Sequence, residues 1–129
     1  MTKTYRGSCH CGAVRFEADI DLSAGTYKCN CSICTKSGYL HLIVPGSRFR
    51  LLSGWEAITT YRFNSGVAEH SFCRVCGIKP FYTPRSNPDG VDVNFNCLDI
   101  RPASVTITDF DGQNWEQNAH KLAHKSRED

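Results

Sequence analysis

The sequence predicts an all-β, mainly antiparallel fold with a short helical turn and a second short helix near the C-terminus. Three observations carry this. Apolar residues alternate over short runs, most clearly in AVRFEADI, which puts Val14, Phe16, Ala18 and Ile20 on one face of a strand. The gaps between such runs are filled by Gly, Asn, Pro and Ser, as in NSG and SNPDG. Only SICTKSG and residues 115–129 have helical character.

The elements follow in order. After AVRFEADI, GTYKCNC reads as a strand that delivers the chain into a cluster of three cysteines. SICTKSG is long enough for about two helical turns, closed by Gly38. YLHLIV is a strand stopped by PGS. RFRLL, ITTYRF, EHSFC, KPFYTP, VDVNFN and VTITDF are further strands. Short strands at this spacing suit an antiparallel sandwich or a barrel-like arrangement. In WEQNAHKLAHKSRED, only Trp115, Ala119, Leu122 and Ala123 offer an apolar stripe. Residues 115–129 therefore read as a surface helix and a charged tail.

A chain of 129 residues fits one domain, 1–129, with a core of its own. A formal net charge of +2, with basic residues scattered, argues against a phosphate-tracking surface, so no nucleic-acid partner is expected. No apolar run approaches the ~20 residues of a membrane span. MTKTYRGSC lacks the apolar middle of a signal peptide. The expected location is a reducing cytoplasm.

That location decides how the eight cysteines are read. In a reducing compartment they point to metal or redox chemistry rather than to disulfides. Seven fall in tight clusters: CHC (Cys9, Cys11), CNCSIC (Cys29, Cys31, Cys34) and CRVC (Cys73, Cys76). The two dyads sum to four thiolates, which close a tetrahedral zinc site. Each dyad is followed by glycine, a residue free to take positive φ and turn backbone N–H groups toward the sulfurs. Such a zinc would staple the first strand to the middle of the chain. Pairing CHC with CNCSIC instead gives five ligands and leaves CRVC unsatisfied.

Cys29, Cys31 and Cys34 then remain: three protein ligands with one vacancy, the usual form of a catalytic zinc site. Cys97 either fills that vacancy and closes the site, or is a buried small hydrophobe, the commoner fate of a lone cysteine. Three thiolates leave zinc a weak Lewis acid toward water and favour a soft fourth ligand, above all another thiolate. Glutathione, the abundant small thiol of many cytosols, is the obvious donor. Candidate bases are His41 and His70, each more commonly structural in this kind of setting. His10 lies between two ligands and is expected to point away. Tyr39, Phe81 and Tyr82 either wall a pocket or belong to the core.

The motifs CHCG, CNCSIC and FCRVCGIKPFY, followed by VNFNCLD, resemble the glutathione-dependent formaldehyde-activating enzyme / centromere protein V family over about residues 5–100. The resemblance implies an all-β zinc fold called a β-tent. It implies a structural zinc on Cys9, Cys11, Cys73 and Cys76, and a catalytic zinc on Cys29, Cys31 and Cys34. The implied partners are a small thiol and an aldehyde. The implied reaction is carbon–sulfur lyase chemistry, making or breaking an adduct such as S-hydroxymethylglutathione. The alternative is a non-catalytic, zinc-stabilised binding or scaffold module. A zinc deaminase is set aside, because CNCSIC carries no glutamate and Phe72, not proline, precedes Cys73.

Overall fold

The computed structural model describes residues 2–63 and 65–126. Ten strands dominate: β1 Lys3–Ser8, β2 Arg15–Ile20, β3 Thr26–Cys29, β4 Leu40–Pro45, β5 Phe49–Ser53, β6 Ile58–Tyr61, β7 His70–Cys73, β8 Phe81–Tyr82, β9 Gly90–Asn94 and β10 Ile107–Phe110. Two short α-helices, α1 Ser32–Ser37 and α2 Trp115–Asn118, interrupt them. The strands form three sheets, ordered β1-β2-β5, β10-β3-β4-β9-β8 and β6-β7. All pairings are antiparallel except β10 with β3, which is parallel. The sheets stay open, so the barrel-like alternative does not occur.

The alternation in AVRFEADI sets the main core. Phe16, Ala18 and Ile20 on β2 are buried against Leu42 and Val44 on β4 and Val93 on β9. Burial of each such side chain is worth roughly 1.5–3 kcal/mol, and here it joins the three-stranded sheet to the five-stranded one. Val14, also buried, belongs to a separate small cluster with Cys9, Ala57 and Cys73.

α1 ends at Gly38, which is left-handed (φ 65, ψ 33) and donates its N–H to the carbonyl of Cys34. β1 is the strand that alternation does not announce. KTYRGS is mostly exposed at the sheet edge, and only Gly7 is buried. Its place follows from pairing with β2 rather than from its own apolar pattern.

The C-terminal segment differs from a surface appendage. Beyond α2 the chain continues in 3-10 turns over Ala119–Lys121 and Ala123–Ser126. Leu122 and Ser126 are buried. Asn87 on the loop before β9 donates to the carbonyls of Leu122 and Ala123 at 2.9 and 3.1 Å, and contacts Ser126 Oγ at 2.9 Å. Ser126 Oγ in turn donates to Asp89 at 2.6 Å. The rest of the expected tail, residues 127–129, lies outside the described residues. Among the described residues no helix is long and apolar enough to cross a membrane.

Candidate metal centres

The two dyads meet across a separation of 62 residues. Cys9 follows β1, and Cys73 is the last residue of β7. The four ligand atoms of Cys9, Cys11, Cys73 and Cys76 lie within 4.8 Å of one another. Cys9–Cys11 and Cys11–Cys73 sulfurs are each 3.7 Å apart. A tetrahedron with ~2.3 Å zinc–sulfur bonds has edges of about 3.8 Å. The cluster therefore has the dimensions as well as the donor chemistry of a zinc site.

Both dyads end in a tight turn at a left-handed glycine. Gly12 and Gly77 have φ of 81 and 80, a region that costs other residues about 1–2 kcal/mol. Gly12 N–H donates to Cys9 carbonyl and Gly77 N–H to Cys73 carbonyl, at 3.3 and 2.7 Å. Val14 N–H then points at Cys9 Sγ, 3.3 Å away. His10 is exposed, as a knuckle residue turned away from the sulfurs.

The second group unites Cys29, Cys31 and Cys34, again with their sulfurs within 4.8 Å of one another. β3 delivers Cys29, and Cys31 is the residue before α1. Helical geometry from Ser32 onward turns Cys34 back toward them. Cys97 does not join. It packs beside the main core, with its Sγ 4.0 Å from the carbonyl of Lys79. Among the described residues no fourth Cys, His, Asp or Glu completes this group.

These three sulfurs open onto a cavity of about 420 Å³, within the size range of small-molecule sites. Its walls include Tyr27, Tyr82, Phe110, Trp115 and Leu122, with Arg85 and Gln113 at the polar side. A second depression, about 380 Å³, shares Tyr27, His41, Phe110 and Leu122 with the first but holds none of the cysteines. Of the three aromatics singled out in the sequence, only Tyr82 lines the sulfur cavity. Tyr39 is fully buried, and Phe81 packs against Phe16 and Phe49.

The segment after β10 forms one side of the site, and nothing in its sequence marks it. A Cβ on Gly112 would lie 2.2 Å from Cys29 Sγ and 3.2 Å from Cys31 Cβ, so only glycine allows this approach. Asn30, between the first two cysteines, ties the segment down. It donates to Asp111 at 3.1 Å and accepts from Gln113 N–H at 2.8 Å. Leu122 packs on Tyr27, Cys29 and Cys34.

Both candidate histidines line the cavity. His70 stacks between Phe63 and Tyr82, and its Nδ1 is 2.7 Å from Lys79 Nζ. Burial, followed by the charge of Lys79, holds its pKa down at about 4. Burial likewise lowers Lys79 to about 8, and its ammonium sits 3.7 Å above the Tyr82 ring. His41 is 1% exposed and stacks on Tyr27 at 4.4 Å. Its Nδ1 lies 2.6 Å from Asp92, a carboxylate with no exposure at all. Leu42 N–H also donates to Asp92, at 3.2 Å. His41 Nε2 is buried without a hydrogen-bond partner among the described residues, a condition that costs about 1–3 kcal/mol in an ordinary core.

The glutathione-dependent formaldehyde-activating enzyme family matches residues 4–114. The chain belongs to this family. The match reaches beyond residue 100, where the sequence motifs end, and takes in β10 and the Gly112 loop that closes on Cys29. This family member is also similar to a crystal structure of a Rhodobacter sphaeroides protein. The two are 35% identical with a TM-score of 0.74, over 81% of this chain and 97% of that one.

Proposed function

We propose that residues 1–129 act as a single zinc-binding domain whose three-sulfur cavity makes or breaks the carbon–sulfur bond between a small thiol and an aldehyde, as in S-hydroxymethylglutathione. The observation that carries this is the open three-sulfur group. Cys29, Cys31 and Cys34 converge at a cavity, and no fourth ligand from the described residues closes them off. In this reading Cys9, Cys11, Cys73 and Cys76 hold a structural zinc, and Cys29, Cys31 and Cys34 hold a second, catalytic one. Membership of the glutathione-dependent formaldehyde-activating enzyme family supports glutathione as the thiol and formaldehyde as the aldehyde.

A zinc held by Cys29, Cys31 and Cys34 would supply a soft Lewis acid that binds the thiol sulfur and eases loss of its proton. The chain's own groups do the rest. Tyr27, Tyr82, Phe110 and Leu122 shield the reacting carbon from bulk water. Arg85, stacked 4.0 Å over Trp115 and paired with Glu116 at 2.7 Å, offers a guanidinium at the cavity edge for a carboxylate of the thiol. A reducing cytoplasm is the compartment that keeps such cysteines available as metal ligands.

Native mass spectrometry of protein purified without chelator, with and without glutathione, tests the reading. Two zincs per chain and a glutathione adduct that Cys31→Ser abolishes are expected. One zinc and no adduct, after zinc has been added back, would leave a zinc-stapled binding module.

A further inference from the structure

The two histidines of the cavity differ in what their ring nitrogens are doing. His70 already uses Nδ1 as an acceptor for Lys79. His41 turns Nδ1 toward Asp92. A carboxylate only accepts, so the proton belongs on Nδ1 and the lone pair on Nε2. Nε2 is the ring edge away from Asp92, on a residue that lines the sulfur cavity. No described group hydrogen-bonds it. The large majority of buried polar side-chain atoms have a partner, so an unpartnered ring nitrogen at this depth asks for a function.

We propose that His41, oriented by Asp92, is the catalytic residue that carries the proton between sulfur and oxygen in the thiol–aldehyde reaction. The inference rests on the function proposed above and names the base that the sequence left open. In the forward direction His41 Nε2 takes the thiol proton. The thiolate sulfur attacks the aldehyde carbon, the carbon–oxygen π pair moves to oxygen, and Nε2 returns the proton to that oxygen. In reverse Nε2 removes the hydroxyl proton, the oxygen pair re-forms the carbonyl, the carbon–sulfur pair leaves on sulfur, and that thiolate takes the proton back from Nε2. One proton crosses in each direction and His41 ends as it began, so no further reactant is needed.

Asp92 is a positioning residue. Its carboxylate fixes the tautomer and stabilises the imidazolium that forms in passing. Leu42 N–H and Tyr27 Oη, the latter 3.4 Å from Asp92, hold the carboxylate in place. Tyr39 Oη donates to the Asp92 backbone carbonyl. The ring plane of His41 is set by Tyr27, parallel to it within 7°.

The test uses zinc-loaded full-length protein with glutathione and formaldehyde as probes. His41→Gln and Asp92→Asn are expected to lower the rate of adduct exchange by about 10²–10⁴-fold, with zinc content and glutathione binding unchanged. In ¹⁵N-histidine-labelled wild-type protein, the His41 Nε2 resonance should move when glutathione and formaldehyde are added together, and much less with glutathione alone. Wild-type activity that survives in His41→Gln, or an Nε2 signal indifferent to the adduct while turnover proceeds, overturns this assignment and leaves the function standing. Loss of zinc from His41→Gln would make His41 a ligand and likewise overturn it. Wild-type protein that neither binds thiol nor exchanges the adduct overturns the function, and this inference with it.

Discussion

The four-sulfur and three-sulfur groups use the same ligand in different surroundings. The first brings together two glycine-ended knuckles from opposite halves of the chain, and it sits among Val14 and Ala57, with Leu51, Ile58 and Phe81 packed against them. The second is local, all within residues 29–34, and its neighbours are aromatic rings, a buried His–Asp pair and a cavity. A group assembled from distant segments ties the chain together. A group assembled from one turn spares the fold that duty and leaves one side open to a ligand. Ligand count separates the two less sharply than contact order does.

The largest expected effect breaks this contrast if it fails. Cys73→Ser should unfold or aggregate the protein, because zinc binding at a structural site is worth ~10–16 kcal/mol, as much as the whole stability of a typical domain at ~5–15 kcal/mol. Cys31→Ser should cost about 1–2 kcal/mol and abolish the thiol adduct. Circular dichroism melts of the two variants decide this, and equal loss of folding in both would erase the division.

A smaller effect sharpens it. Gly112→Ala places a methyl 2.2 Å from Cys29 Sγ and should push the 110–114 segment off the three-sulfur group. Metal affinity there should fall roughly 10–100-fold, as for other changes that disturb ligand orientation, with the four-sulfur group unaffected. Titration with a competing chelator would resolve the two sites.

Smaller again is Gly77→Ala. No neighbour lies within 4 Å, so the cost is φ alone, about 1–2 kcal/mol. The melting temperature should drop by roughly 3–8 °C, without loss of thiol binding.

The smallest effect lies outside both groups. Arg50 donates to both oxygens of Asp19 and, with help from Thr4, holds its pKa at about 2, below the ordinary 3.8. A depressed carboxylate contributes stability above pH 4, and that contribution is lost as pH falls toward 2. Arg50→Ala should flatten the acid limb of the stability–pH curve between those values. The pair is partly exposed, so added salt should shrink the difference.

Much of this protein was readable from its residues because it is written in short-range patterns. The period of two in AVRFEADI identified Val14, Phe16, Ala18 and Ile20 as an inward face, and all four are buried. The spacing of CNCSIC and the glycine after each dyad anticipated the sulfur groups, since ligand geometry is local. Gly38 ended α1 because a left-handed residue is needed where a helix stops. β1 escaped notice because an edge strand with one buried residue carries no periodic signal.

The tertiary structure decided what depends on distant segments meeting. It kept Cys97 away from the three-sulfur group, placed Gly112 against Cys29, and buried Leu122 where a surface helix was expected. It also gave the two histidines different partners. His41 on β4 faces Asp92 on β9 through a register that pairs Leu42 with Val93 and Ile43 with Asp92. Sequence alone determines which side chains can ligate, stack or accept a proton. Whether they meet is set by strand pairing and long-range closure, whose energy is spread over many residues and is written in none of them singly.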